Sequence, residues 1–425
     1  MNWIPIINKE LHDQVDGKIN EIFSALTQHE ADFKVPDLFT GESGICLFLA
    51  YYSQLSNNSD LDLTTYIDNI VDMTDEIFST PLNDYKDITI ISELGWMIQH
   101  LSLHNMIDID SEDYFRDLDE SLYESLFLFI NNNRYDCLNG VINIGIYFYN
   151  RYLYGNNEKC YTYLEEMVEQ MAAKRIEEDG LVKWMSIVDY KNHRLGYNLG
   201  IAHGIPGLIL FFIKLYDINI KKDLLSRLII KSSLYLLSHK RVLGKFKSYF
   251  PGIYSDIEES DKTKLSLNNN HETRLGWCYG DLSVGYALYK ASLLGFDEIM
   301  FLEEESLDIL IQTTYRKSLI DMGIKDACLC HGTAGISHIY NRLYHLSGND
   351  EFKNAASFWL CETLGMAKEE NIFAGYVTDL YNNEEKKIEI LKNRSFLSGI
   401  SGIGLFFLSV LHPSEPYWDE CMLLS

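Results

Sequence analysis

Two kinds of segment alternate along this chain. In the first, apolar residues recur every three or four positions and leave a polar face: Ile67, Ile70, Val71, Thr74, Ile77 and Phe78 share one side of a helix, as do Leu118, Leu122 and Leu126. The same period runs near 9–27, 157–177, 221–239, 297–316 and 350–370. In the second, a glycine opens a run that is apolar on nearly all sides. The copies read TGESGICLFLAYY from Thr40, CLNGVINIGIYFY from Cys137, AHGIPGLILFFIKLY from Ala202, CYGDLSVGYALY from Cys278, CHGTAGISHIY from Cys330 and LSGISGIGLFFL from Leu397. The interval from Gly41 to Gly140 is about double the others, and a degenerate copy around Ser92-Glu93-Leu94-Gly95-Trp96 fills it, making seven.

Amphipathic helices belong to a layer that faces water, and helices apolar all round belong inside. Seven helical hairpins build either an open solenoid or a closed ring. Their spacing is uneven, about 50 to 75 residues, which favours closure over a solenoid. The expectation is therefore all-α: an α/α toroid of inner and outer helices, one domain over 1–425, with inner-helix N-termini gathered at one rim. Glycines there permit tight turns and close helix approach. Helix N-termini make such a rim partly positive, suited to thiolates and enolates. The long segment 241–274 holds Phe250-Pro251-Gly252, an acidic run and Asn268-Asn269-Asn270, and reads as a surface loop over that rim. A turn at Asp179-Gly180 leads into a short strand over 181–185.

Composition narrows the function. The chain has 425 residues, 47% of them hydrophobic and 13% aromatic, with only 7 prolines, so a large core is available and disorder is excluded. A net charge of −26, from 36 basic and 62 acidic residues, argues against nucleic acid or an anionic membrane as partner. The longest apolar runs, 141–149 and 205–213, are about half of what spans a bilayer, so no transmembrane segment is expected. No signal peptide is legible at the N-terminus. Eight cysteines without framework spacing suit a reducing cytoplasm.

The chemistry concentrates in two copies of the unit. Cys278, in Trp277-Cys278-Tyr279-Gly280, and Cys330, in Cys330-His331-Gly332, occupy the same position ahead of their glycines. Two thiolates and one imidazole are three of the four ligands of a tetrahedral zinc, which leaves a position open for water or substrate. About 50 residues separate the cysteines and no C-x-x-C knuckle occurs, so a zinc finger is excluded. Cys328 is a rival donor two residues upstream. His203, in Ala202-His203-Gly204, takes the equivalent place in another copy. It reads as an acid or base beside the metal, a fourth ligand, or a core histidine. Asp136, four residues before Gly140, reads as a helix cap or as a partner for His203. No phosphate-binding loop, dinucleotide fingerprint or nucleophile elbow is present.

Ala-His-Gly at 202–204, Gly-Trp-Cys-Tyr-Gly at 276–280 and Cys-His-Gly at 330–332, in that order on seven glycine-opened repeats, resemble the lanthionine synthetase C-like cyclases. The resemblance covers nearly the whole chain. It implies an α/α toroid with one zinc on Cys278, Cys330 and His331. The implied reaction adds cysteine thiols to dehydroalanine or dehydrobutyrine in a dehydrated precursor peptide. It implies a catalytic role for His203, a functional Asp136, and active-site places for Arg274, Trp277 and Tyr279. A dehydratase and an exporter are the implied partners, so a cytoplasmic protein would meet the membrane through them. One departure stands out: Leu282-Ser283 replaces the Pro-Gly common in the family after Cys-Tyr-Gly. Two other readings are a zinc-dependent thiol alkylation of the prenyltransferase type, whose ligands normally include a carboxylate, and a peptide-binding toroid without catalysis.

Overall fold

The computed structural model describes residues 3–7, 9–28, 35–56, 61–74, 77, 84–108, 112–155, 157–189, 192–244, 248–254, 272–368, 372–382 and 387–425. In chain order its long helices are α1 (Lys9–Gln28), α2 (Glu42–Ser56), α3 (Leu63–Asp72), α4 (Tyr85–Leu103), α5 (Glu112–Asn131), α6 (Val141–Leu153), α7 (Glu158–Ala173), α8 (Ile205–Asp217), α9 (Lys222–Ser238), α10 (Asp281–Ser292), α11 (Leu302–Thr314), α12 (Thr333–Ser347), α13 (Asp350–Gly365) and α14 (Ile400–Leu411). The seven even-numbered helices are buried on all sides over most of their length. Odd-numbered ones bury a single face, as α1 does with Val15, Ile19 and Ile22. Each even helix packs on the next, and α14 closes onto α2. The ring is shut, as the uneven spacing predicts.

Outer helices follow their inner partners: α3 packs on α2, α5 on α4, α7 on α6, α9 on α8, α11 on α10 and α13 on α12. The seventh pair is made differently, with α1 lying against α14. Trp3 reinforces that seam, its indole N–H reaching the Ser409 carbonyl at 2.7 Å.

The entry loops touch one another around the rim through their backbones. Leu397 N–H donates to Phe39 O, Cys330 N–H to Leu397 O, Trp277 N–H to Cys330 O and Cys137 N–H to Ala202 O, all at 2.9–3.0 Å. The degenerate repeat has no such loop, because α4 begins well before Gly95. Glu93 takes its place: its carboxylate accepts from Leu38 N–H at 2.8 Å and from the Asn143 amide at 3.2 Å. Close approach also explains Gly335, in the first turn of α12, where a Cβ would stand 1.8 Å from the Leu329 carbonyl.

The segment after α14 runs through the space that the inner helices surround. Asp419 meets His338 and Arg342 of α12, Glu420 meets Asn150 of α6 and Lys214 of α8, and Leu424 O accepts from Tyr286 of α10. Trp418, Cys421, Met422 and Leu424 are buried there. The bore is therefore filled with protein.

Three small antiparallel sheets decorate the helices. β1 (Ile176–Glu178) pairs with β2 (Leu181–Lys183) across Asp179 and Gly180, both at positive φ, as a two-residue hairpin turn requires. β3 (Ser186–Asp189), β4 (Arg194–Asn198) and β5 (Ile253–Tyr254) form the second, in that order. β6 (Thr378–Asn382) and β7 (Lys387–Leu391) form the third, with Asp379 opposite Ile390. The strand expected over 181–185 is shorter, ending at Lys183, because Trp184 turns inward and its indole N–H donates to Met171 O at 2.8 Å. Of the 241–274 loop, residues 245–247 and 255–271, including the acidic run and the three asparagines, lie outside the described residues.

Candidate metal centre

Two entry loops bring the sulfur together. The Trp277 and Cys278 N–H groups both point at Cys330 O, at 2.9 and 3.3 Å, so the loops run side by side. One ligand atom each from Cys278, Cys330 and His331 lies within 4.8 Å of the others. Both thiols are buried, whereas the His331 side chain is 26% exposed. His331 Nε2 stands 3.6 Å from Asp326 Oδ2, and its Nδ1 is buried without a hydrogen-bond partner. A buried ring nitrogen with no partner, grouped with two thiols, fits a metal donor. The carboxylate on the far ring nitrogen fits the outer support that metal-bound histidines receive.

The charges agree with that donor set. Asp326 first, then Cys278 and Cys328, raise the His331 pKa to about 12. Cys278 is held well below the ordinary thiol value, chiefly by a hydrogen bond from Cys330, with His331 and Arg274 adding to it against burial. Cys330 moves the other way, raised first by its hydrogen bond to Cys278, then by burial and the charge on Cys278.

Asp326 escaped the sequence reading. Burial opposes its charge, yet His331 and Cys328 bring its carboxyl down to about 2. The signal was its place six residues before Gly332, where two of the other repeats put Asn198 and Asn393. Asp326 and Asn393 do the same local work, each accepting from the N–H two residues on, at 3.1 and 2.9 Å. Asp326, Cys328 and His331 also form a second grouping of potential ligands. Burial raises the Cys328 thiol.

His203 precedes Gly204 as His331 precedes Gly332. Its Nδ1 lies 3.6 Å from Asp136 Oδ1, and the Tyr279 ring is 5.9 Å away, centre to centre. Burial works against the imidazolium, but Asp136 and Cys278 outweigh it and the pKa is raised. Asp136 serves two ends, since its Oδ1 also accepts from Leu138 and Asn139 N–H at 3.0 and 2.6 Å. That closes the loop into α6, whose own N-cap is Gly140. Tyr279 is steadied by Asn198, whose Oδ1 accepts its hydroxyl at 2.9 Å. Arg274 is exposed at the same rim. Trp277 is not brought to the cluster's open side: it is fully buried and its indole N–H donates to Met422 O at 2.9 Å.

The family model of the lanthionine synthetase C-like proteins matches residues 32–423. This chain belongs to that family. Among solved structures it is similar to nisin cyclase, with a TM-score of 0.67 and 18% identity over 98% of each chain. An unsaturated glucuronyl hydrolase from Streptococcus agalactiae (TM-score 0.45, 12% identity, 96% of this chain and 94% of that one) and a sugar epimerase from a ruminal bacterium (0.43, 10%, 94% and 98%) also match. At 18% identity the likeness to nisin cyclase speaks to fold.

The departure of this lanthionine synthetase C-like protein at Leu282-Ser283 has a local account. Leu282 is buried, and Ser283 Oγ accepts from Ile201 N–H at 2.8 Å, tying the start of α10 to the loop that carries His203. The helix still opens on Gly280, at φ +102, a left-handed conformation that disfavours any side chain. The buried Asp281 then accepts from Tyr249 and Phe250 N–H, both at 2.9 Å, and pairs with Arg316 at 2.8 Å. This pins the described part of the long loop beside Tyr279.

Proposed function

We propose that this chain, acting as one domain, is a zinc-dependent cyclase that joins cysteine thiols to dehydroalanine or dehydrobutyrine in a dehydrated precursor peptide. The observation that carries the reading is the Cys278–Cys330–His331 cluster at the rim, with the His203–Asp136 pair beside it, in a member of this family. Nisin cyclase, by its name, supports a peptide as the substrate. Work on such a precursor places the protein in the cytoplasm, with a dehydratase upstream and an exporter downstream as partners.

Cys278, Cys330 and His331 would hold one zinc, which when bound lowers the pKa of a substrate thiol and keeps its sulfur nucleophilic. Asp326 holds the His331 ring from behind. As the sulfur bonds to the β-carbon of the dehydro residue, the C=C electron pair moves to the α-carbon and the neighbouring carbonyl. Arg274, at the rim, offsets that developing charge. His203 then delivers a proton to the α-carbon, and the proton released by the incoming thiol restores it. Asp136 favours the charged imidazole and sets its orientation. Tyr279 packs by His203 and brings a hydroxyl to the site, and Trp277 acts from behind by positioning Cys278.

Ring closure is an isomerisation and leaves mass unchanged. The test is therefore to count alkylatable thiols after the zinc-loaded protein meets a dehydrated, cysteine-containing peptide. Loss of thiol with one zinc per chain supports the reading, whereas full retention of thiol sinks it. The Asp326–Cys328–His331 grouping is the one observation favouring a prenyltransferase-type alkylation, because it supplies a carboxylate ligand. Two variants separate them: Cys278→Ala empties the metal site in the first reading and Cys328→Ala in the second. A peptide-binding toroid without catalysis predicts no bound metal.

A further inference from the structure

His331 belongs to two groups of donors. One contains Cys278 and Cys330; in the other, one ligand atom each from Asp326, Cys328 and His331 lies within 4.8 Å of the others. Asp326 Oδ2 stands 3.6 Å from His331 Nε2, wide for an N–H···O bond, which runs about 2.7–3.2 Å. The gap is close to the separation of two ligands on one tetrahedral zinc, about 3.3 Å for bonds of roughly 2.0 Å. The Cys328 thiol is in hydrogen-bonding contact with both His331 and Asp326. Nitrogen, sulfur and a carboxylate oxygen together suit zinc or a similar thiophilic divalent cation. His203 and Asp136 have the same 3.6 Å spacing, but among the described residues no third donor joins them.

The second group has an approach of its own. Asp326 and Cys328 line a cavity of about 390 Å³, beside Ile400 and Ile403 of α14, whereas Cys278 and Cys330 are not among its lining residues. A water takes about 30 Å³, so there is room for waters that complete a coordination sphere. We propose that Asp326, Cys328 and His331 form a second metal site, which takes zinc or a similar divalent cation once the Cys278–Cys330–His331 site is filled. His331 offers Nε2 to it and keeps Nδ1 for the first, with the Nε2 and Cys328 protons released to solvent. It is the weaker site, because it has one thiolate in place of two and because Lys325, exposed on the same wall, opposes a cation. The inference rests on the first site being the metal centre of the cyclase reading. It adds a cation beside that centre, where a prenyltransferase-type site would replace it.

The test titrates metal-free full chain with zinc against a chromogenic chelator, and with cobalt, whose thiolate absorption reports sulfur ligands. The unaltered chain should take one tight equivalent and then a weaker one, and the cobalt absorption should rise in two steps, the second smaller. Cys328→Ser should lose the second step and keep the first. Asp326→Asn should lose it as well, besides weakening the first. Cys278→Ala should do the reverse, losing the tight equivalent and keeping the weak one. Circular dichroism verifies the fold of each variant. A single equivalent in the unaltered chain, lost in Cys278→Ala, overturns the inference and leaves the cyclase reading standing. A second equivalent that survives in both Cys328→Ser and Asp326→Asn also overturns it. A single equivalent lost in Cys328→Ser and kept in Cys278→Ala overturns the two-site scheme and sinks the ligand set of the cyclase reading with it. No metal bound by any form sinks both.

Discussion

At the scale of single residues, the site divides into groups that donate, groups that move protons and groups that hold the others. Asp326 belongs to the last kind. With its carboxylate 3.6 Å from His331 Nε2, it fixes which ring nitrogen is left for a metal. Asp326→Asn should lower zinc affinity about tenfold, read by competition with a chromogenic chelator, with the fold intact by circular dichroism. Unchanged affinity would reduce Asp326 to a loop former. His203 belongs to the second kind: His203→Asn should keep one zinc and lower kcat by about a hundredfold or more. A variant within threefold of the parent would dismiss it as proton donor. Spacing marks position 326 as a loop former, but neither the carboxylate behind His331 nor the inward turn of Trp277 is visible to a motif, because both depend on which way side chains turn once the loops are folded.

At the scale of elements, the glycines carry the design, and they are not equivalent. Gly335 lies where α12 presses on its own entry loop, so a methyl group meets the Leu329 carbonyl at 1.8 Å. Gly17 lies mid-helix on the exposed side of α1, with nothing within 4 Å of an added Cβ. Gly335→Ala should cost about 2 to 3 kcal/mol and Gly17→Ala should stabilise by about 0.5 to 1 kcal/mol, measured by urea unfolding. Equal effects would mean that the rim glycines are no more than flexible links. Both helix layers and seven repeats were legible from period and glycine placement. The β6–β7 hairpin was not, since LYNNEEKKIEIL mixes charge and apolar residues without a clean alternation. Glu93 shows why the degenerate repeat looked worn: a side chain there does the joining that backbone does elsewhere.

At the scale of the whole molecule, the bore is closed by charged groups as well as apolar ones. Asp419 is fully buried among His338 and Arg342, and although burial opposes its charge, Arg342 and then His338 bring its carboxyl down to about 2. Its folded value lies below its unfolded one. The stabilisation it gives is therefore complete above about pH 4 and lost as the pH falls towards 2, a difference of about 2 kcal/mol. Asp419→Asn should flatten that acid limb and cost about 3 kcal/mol at neutral pH, because Arg342 loses its fully buried carboxylate partner and keeps only the less buried Glu415. Denaturant midpoints across pH decide it, and an unchanged acid limb would move its origin elsewhere. The closed ring could be argued from uneven repeats, but a tail running through its centre could not. Residues 417–424 are apolar enough to be core anywhere, and only ring geometry says where.

The seam between α1 and α14 sets a timetable for biosynthesis. Val15, Ile19 and Ile22 leave the ribosome early, yet α14, against which α1 packs, follows roughly 370 residues later. At ordinary translation speeds that gap lasts on the order of 20 to 70 s, with an oily stripe waiting in the open. A chaperone that holds the nascent chain at this stripe should therefore raise the yield of folded protein.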